Sequence, residues 1–300
     1  MLKGILAGLG AGALWGLVFV APRMTPGLSS VDLAAGRFVS YGIIAALVMA
    51  FTWRSHKWPT IDQALAALGL SVLGFTGYYL LLVLSIHHAG TEVPTLIIGT
   101  IPIWAMLLGK PLGLKWKSLL PGLALTAAGL MLMMNVTLAP QQMAPAASGS
   151  HYWQGVVLAL AATVCWTTFA ILNVAWLKRH EQVSATEWAN WLGIATGAGA
   201  VLLWLAAGSE SKELLAIEQP ALTVIVCVVT GVGSAWLATI LWNIASQRLS
   251  ASLCGQLIVS ETLFALLYSF LWDSALPGVF QVLAGVLFTL GILASIRAHQ

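Results

Sequence analysis

Hydrophobic residues in this chain come in long unbroken runs, with polar residues in short clusters between them. Ten runs are legible, at 3–21, 31–52, 64–86, 91–109, 118–137, 153–177, 184–206, 220–246, 251–271 and 277–296. About 20 mostly apolar residues, coiled as a helix, cross the ~30 Å hydrocarbon core of a bilayer. The runs are rich in Leu, Ala and Gly and do not alternate apolar with polar, as the ~10-residue strands of a membrane β-barrel would. The pattern predicts an all-α integral membrane protein with ten transmembrane helices. The breaks are short except at 138–152, LAPQQMAPAASGSHY, which has the composition of a flexible link.

Composition removes the other classes. The chain has 13 Lys and Arg and 10 Asp and Glu, 8% of 300 residues, while 59% are apolar. Soluble domains carry about 25% charged residues, so this chain lacks the charges to cover a soluble surface. It is equally far too apolar for disorder. Cys165, Cys227 and Cys254 lie far apart inside apolar runs, which indicates neither a disulfide framework nor a zinc site. The N-terminal run continues to Ala21 without a small-residue cleavage site, so it reads as a first span and not a signal peptide.

Charge placement predicts orientation. With the N-terminus in the cytoplasm, Lys3, Arg54, Lys57, Lys110, Lys115, Lys117, Lys178, Arg179, Arg248 and Arg297 all fall inside. Arg23 and Lys212 fall outside, and Arg37 lies within a span. That asymmetry satisfies the positive-inside rule and places both termini in the cytoplasm.

The halves repeat. Gly4 and Trp15 are spaced by 11 residues, as are Gly155 and Trp166; Val31 matches Val183; and Leu-Pro-Gly-x5-Ala-Gly occurs at Leu120–Gly129 and Leu276–Gly285. Five spans per half is an odd number, so the copies must have opposite orientation. The expected organisation is a first repeat at 1–137, a periplasmic linker at 138–152 and a second repeat at 153–300. Inverted repeats of this kind mark transporters whose site lies at the repeat interface. Ten spans in two halves, a Gly-rich first helix bearing a Trp, and the Leu-Pro-Gly-x5-Ala-Gly helices resemble the EamA-type branch of the drug/metabolite transporter superfamily. The proportions and the 14 tryptophans are most similar to the YddG-type aromatic amino-acid exporters of bacterial inner membranes. The resemblance implies export of amino acids across the inner membrane. One departure is Glu261-Thr262, where the family often has Glu-Pro.

Candidate site residues follow from depth. Ionisable groups within spans are costly and default to functional candidates. Glu261, near the middle of the ninth span, is either a substrate-ammonium partner, a protonatable coupling group, or a buried carboxyl bonded to a neighbouring helix. Arg37 is either a carboxylate anchor or a snorkelling side chain paired with Asp32, and the second reading is preferred. Glu187 reads as a helix cap. Trp15, Trp104, Trp166 and Trp242, with Tyr78 and Tyr79, lie near mid-depth and suit an aromatic-walled cavity for an amphiphilic solute. Thr100 and Asn173 offer hydrogen bonds to a substrate or between helices. Pro94 and Pro102 mark the fourth helix as the cavity-lining or moving one. Gly4, Gly8, Gly12 and Gly16 form a packing stripe.

No P-loop, H-E-x-x-H or G-x-S-x-G motif occurs. The expectation is therefore a secondary transporter and not an enzyme, without cofactor or metal. Its partners would be a small-molecule substrate and the lipid bilayer, not nucleic acid, and its oligomeric state a monomer or homodimer. Export of another amphiphilic metabolite or drug is the alternative within the class. A lipid-modifying membrane enzyme is the alternative outside it.

Overall fold

A backbone amide facing lipid has no partner but its own helix, so each apolar run satisfies its amides by coiling. A computed structural model describes residues 1–52, 58–90, 92–138, 150–274 and 276–300. Trp53, Arg54, Lys57 and linker residues 139–149 lie outside the described residues. The helices are α1 (Leu2–Met24), α2 (Ser30–Thr52), α3 (Ile61–Ala89) and α4 (Val93–Leu108), then α5 (Trp116–Leu138) and α6 (Ser150–Arg179). After these come α7 (Ala185–Ala207), α8 (Pro220–Arg248), α9 (Ala251–Asp273) and α10 (Val279–Ala298). Among the described residues, nine are long and apolar enough to cross a membrane.

The remaining one, α4, is shorter because it is broken. It runs as Glu92–Ile98 and then Ile101–Leu108, with Gly99 and Thr100 between. Pro102 cannot donate to the preceding turn, so the ladder stops there. Its repeat mate α9 has Thr262 after Glu261 and is continuous from Ala251 to Asp273. The Leu-Pro-Gly motifs also differ in use. Pro121 lies inside α5, five residues after its start, whereas Gly278 is the N-cap of α10.

The inverted repeat is visible in which helices touch. The longest interfaces are α2 with α7 and α8, α5 with α10, α3 with α6 and α7, α1 with α8 and α9, and α4 with α6 and α9. Exchanging each helix with its mate five places on returns the same set, so a pseudo-two-fold axis passes through the α2–α7, α4–α9 and α5–α10 contacts. At the α2–α7 crossing, Gly42 meets Gly197 so closely that a Cβ on either would lie 2.8 Å from the other's Cα. The α1 stripe is packing, as expected. Gly12 faces Ser260, and Gly16 faces Phe264 and Ala265 of α9.

Each half also contains a π-helical segment at an equivalent place, Val72–Thr76 in α3 and Gly231–Leu237 in α8. The Gly74 backbone packs on the Phe169 ring, and Gly231 packs on Ser40 and the Arg37 carbonyl. Nothing in the hydrophobic pattern distinguishes these segments from ordinary helix.

A side chain at position 42 must separate α2 from α7. Gly42→Val should therefore destabilise by roughly the 1–3 kcal/mol of an overpacked core. Gly69→Ala, where an added Cβ meets nothing within 4 Å, should leave the melting temperature unchanged or slightly raised. Thermal unfolding in detergent checks both.

Candidate functional site

The aromatic residues form a wall that starts from the repeat mates Trp15 and Trp166. Both pack on Trp242: ring centroids are 5.3 Å apart for Trp15–Trp242, 6.2 Å for Trp166–Trp242 and 6.5 Å for Trp15–Trp166. α1 and α6 both contact α8, which brings these three rings to one place. From Trp166 the wall continues to Phe169 at 6.0 Å, Phe75 at 5.5 Å, Phe38 at 5.9 Å and Tyr79 at 6.1 Å. Five helices contribute, and the edge-to-face contacts from Phe169 to Tyr79 add about 0.5–1.5 kcal/mol each beyond burial.

The far end of this wall is charged. Arg37 precedes Phe38 on α2, with its guanidinium 4.6 Å from the Phe38 ring centroid. Tyr79, Glu261 and Tyr78 are the titratable groups in its electrostatic reach, followed by Cys227. Tyr78 in turn has Glu261, Tyr79 and Arg37 within reach, and it packs against the cluster that holds the three tryptophans. Arg37 and Glu261 form no direct ion pair within 4.0 Å. α2 and α9 share no substantial interface. Among the described residues neither side chain has a hydrogen-bond partner, and the Arg37 Nε is buried without one.

The preferred reading of Arg37 is thus overturned. Asp32 is occupied elsewhere: it accepts from the Ser29 hydroxyl at 2.5 Å, the Trp204 indole at 3.1 Å and the Ser209 amide at 3.1 Å. On a helix, residues five apart point about 140° away from each other. Arg37 therefore turns inward, toward Tyr79 and Glu261, and not back to Asp32. Glu187 does cap its helix, accepting from the Ser184 amide while its own amide donates to the Ser184 hydroxyl.

The other candidates fall into different environments. Tyr79 donates to the Ser30 carbonyl at 2.7 Å, which ties α3 to the start of α2. The Tyr78 hydroxyl has no partner among the described residues. Thr100 sits at the break in α4 and accepts from the Trp104 indole at 3.1 Å; Trp104 itself is 47% exposed, outside the tryptophan cluster. Asn173 is fully buried in a network between helices. It accepts from the Trp188 indole at 2.7 Å and donates to Asn243 at 3.1 Å. The Trp242 ring is 1% exposed, and its indole N–H has no partner. Two cavities of about 430 Å³ each open elsewhere, one against Trp204–Lys212 and one beside Tyr268, and neither is lined by Arg37 or Glu261.

Ten hydrophobic helices in inverted halves, with unpaired charges and rings turned to the interface between them, define a membrane transporter architecture. The chain belongs to the EamA-like transporter family, whose pattern matches residues 2–135. It is 32% identical over 314 aligned positions to "Inner membrane protein YtfF" of Escherichia coli (strain K12), covering 99% of this chain and 96% of that protein. A solved crystal structure at 20% identity superposes with a TM-score of 0.74 over 98% of both chains, so the fold is shared.

Structural and site polar groups should separate by stability. Asn173→Ala leaves the Trp188 indole buried and unpaired, which should cost about 1–3 kcal/mol. Glu261→Gln breaks no hydrogen bond seen here and should not lower the melting temperature. Thermal unfolding of the two variants in detergent tests this ordering, and the reverse order would make Glu261 a structural group.

Proposed function

We propose that this protein is a secondary transporter that exports amino acids, chiefly aromatic or other amphiphilic ones, across the bacterial inner membrane by alternating access. The observation that carries this reading is a half-buried acidic side chain, Glu261, with no hydrogen-bond or ion-pair partner among the described residues, within reach of Arg37 and Tyr78 at the end of a continuous aromatic wall. An ammonium group offsets the cost of a carboxylate in low dielectric, and an apolar or aromatic side chain gains by stacking on the rings. Trp15, Trp166 and Trp242 would take the side chain, with Tyr78 and Glu261 at the polar end. Thr100 and Trp104 on the broken α4, with Tyr79 and Asn173, would complete or support the lining.

The packing supports an exchange between two states. α1 is held by α8 and α9, and α6 by α3 and α4, so each half's first helix belongs to a bundle made largely by the other half. Because the halves are inverted, exchanging their conformations turns an opening on one side into an opening on the other. The proposed halves are 1–137 and 153–300, joined by a periplasmic linker, with both termini cytoplasmic. The excess of Lys and Arg on the terminus-bearing loops supports that orientation.

Purified protein in liposomes should carry labelled phenylalanine across the membrane chemically unchanged, and aromatic amino acids should compete better than aliphatic ones. Trp166→Ala should weaken the aromatic preference about three- to tenfold, the loss of one ring contact. No flux of any amino acid, or a chemically altered product, overturns the reading.

A further inference from the structure

We infer that Arg37 is the carboxylate anchor of the transported molecule and that the site selects zwitterions, held between Arg37 of α2 and Glu261 of α9. This inference rests on the amino-acid reading above and adds the residue and the charge rule which that reading lacks.

A guanidinium inside a bilayer span normally snorkels, pairs with a carboxylate or binds backbone carbonyls. Arg37 does none of these. Asp32 is bonded to Ser29, Trp204 and Ser209. No hydrogen bond leaves the Arg37 side chain to any described residue, and its Nε is buried. Its guanidinium carbon lies 4.6 Å from the Phe38 ring centroid, and its N–H donors have no hydrogen-bond partner among the described residues. A guanidinium is a planar set of N–H donors matched to a carboxylate. Glu261 is likewise not a carboxyl bonded to a neighbouring helix, since no described backbone or side-chain donor reaches it.

The arrangement of the two charges suggests the ligand class. No ion pair within 4.0 Å joins them, each lies within the other's electrostatic reach, and their helices share no substantial interface. An interposed group bearing one negative and one positive end satisfies both. Charge balance gives the same answer. With Glu261 ionised, the empty site holds one cation and one anion, and it stays neutral when loaded with a zwitterion. A lone amine or a lone acid would leave one protein charge unmatched in low dielectric, where that is costly. Tyr78, with a free hydroxyl next to both charges, is placed to donate to the same carboxylate. Arg37 belongs to the first repeat and Glu261 to the second, so the ligand itself would bridge the two halves.

The test uses the full-length protein in liposomes, with labelled phenylalanine as the carried probe. Phenethylamine, which lacks the carboxylate, and 3-phenylpropionate, which lacks the ammonium, serve as competitors. In the wild type both should compete roughly ten- to hundredfold less well than unlabelled phenylalanine, the effect of losing one charge-assisted hydrogen bond. Arg37→Gln should erase the discrimination against phenethylamine while keeping that against 3-phenylpropionate, and Glu261→Gln should do the opposite. Arg37→Lys should retain the wild-type order. Because the readout is a ratio between competitors, it does not depend on how much variant protein folds. An Arg37→Gln variant that still prefers phenylalanine over phenethylamine by the wild-type factor overturns the inference and leaves the transporter reading intact. Wild-type protein that moves no amino acid overturns that reading, and this inference falls with it.

Discussion

Hydrocarbon offers no hydrogen bonds, so every polar group of this chain within the bilayer must be satisfied by protein or turned onto an internal space. Most are satisfied in pairs that also join helices: Ser71 with Thr196, Gln256 with Thr126, Trp236 with Asn190, and Asn173 with Trp188 and Asn243. These contacts set the distances between α3, α6, α7 and α8 and between α5, α9 and α10. Among the described residues the buried polar atoms without a partner are spread over several helices: the Thr167, Ser234, Thr239 and Ser252 hydroxyls and the His299 Nε2, besides the Arg37 Nε and the Trp242 indole. Charge is what sets the candidate site apart, since Arg37 has Tyr78, Tyr79 and Glu261 in its electrostatic reach at one end of the aromatic wall that ends at Trp242.

The pseudo-two-fold packing brings Arg37 of one half within electrostatic reach of Glu261 of the other. α2 and α7 cross at Gly42 and Gly197 without side chains between them, one of several close interfaces between the halves. α4 and α9 face one another across the same axis and have diverged. α4 is broken at Gly99 and Thr100, whereas α9 is continuous and carries Glu261. A site for an asymmetric molecule needs such a difference, because two identical halves would present the same group twice. The π-helical segments in α3 and α8 contribute as well. One extra residue in a turn rotates everything beyond it by about 100°. Tyr78 and Tyr79 follow the segment in α3, and Trp242 follows the segment in α8.

Span positions were legible in the sequence to within about three residues at each end, because length and apolar content alone determine them. Pro94 and Pro102 singled out the fourth helix without giving the place of its break, and the α1 glycine stripe was legible from its spacing. Depth assigned Trp104 to the aromatic group, but depth ignores helical phase. Ile101 and Ala105 face the core, and Trp104 between them is 47% exposed. Asn173 could be ranked as polar and central, yet its engagement by Trp188 depends on α6 meeting α7, which no local pattern states. The π-helical segments have no sequence signature at all.

Arg37 is the instructive case, because the signal was present. A carboxylate five residues earlier made Asp32 look like its partner, yet that spacing puts the two side chains on different faces of one helix. Helical phase would have sent Asp32 toward the α7 end and Arg37 into the interior. Sequence proximity is a poor guide to pairing within a helix, whereas a charge whose obvious partner is out of phase needs another. For Arg37 the described residues supply none within ion-pair distance, and the acidic group in its electrostatic reach, Glu261, comes from the other half of the molecule. A charged pair split between two inverted halves and kept apart by their packing is closed most economically by the molecule that moves between them.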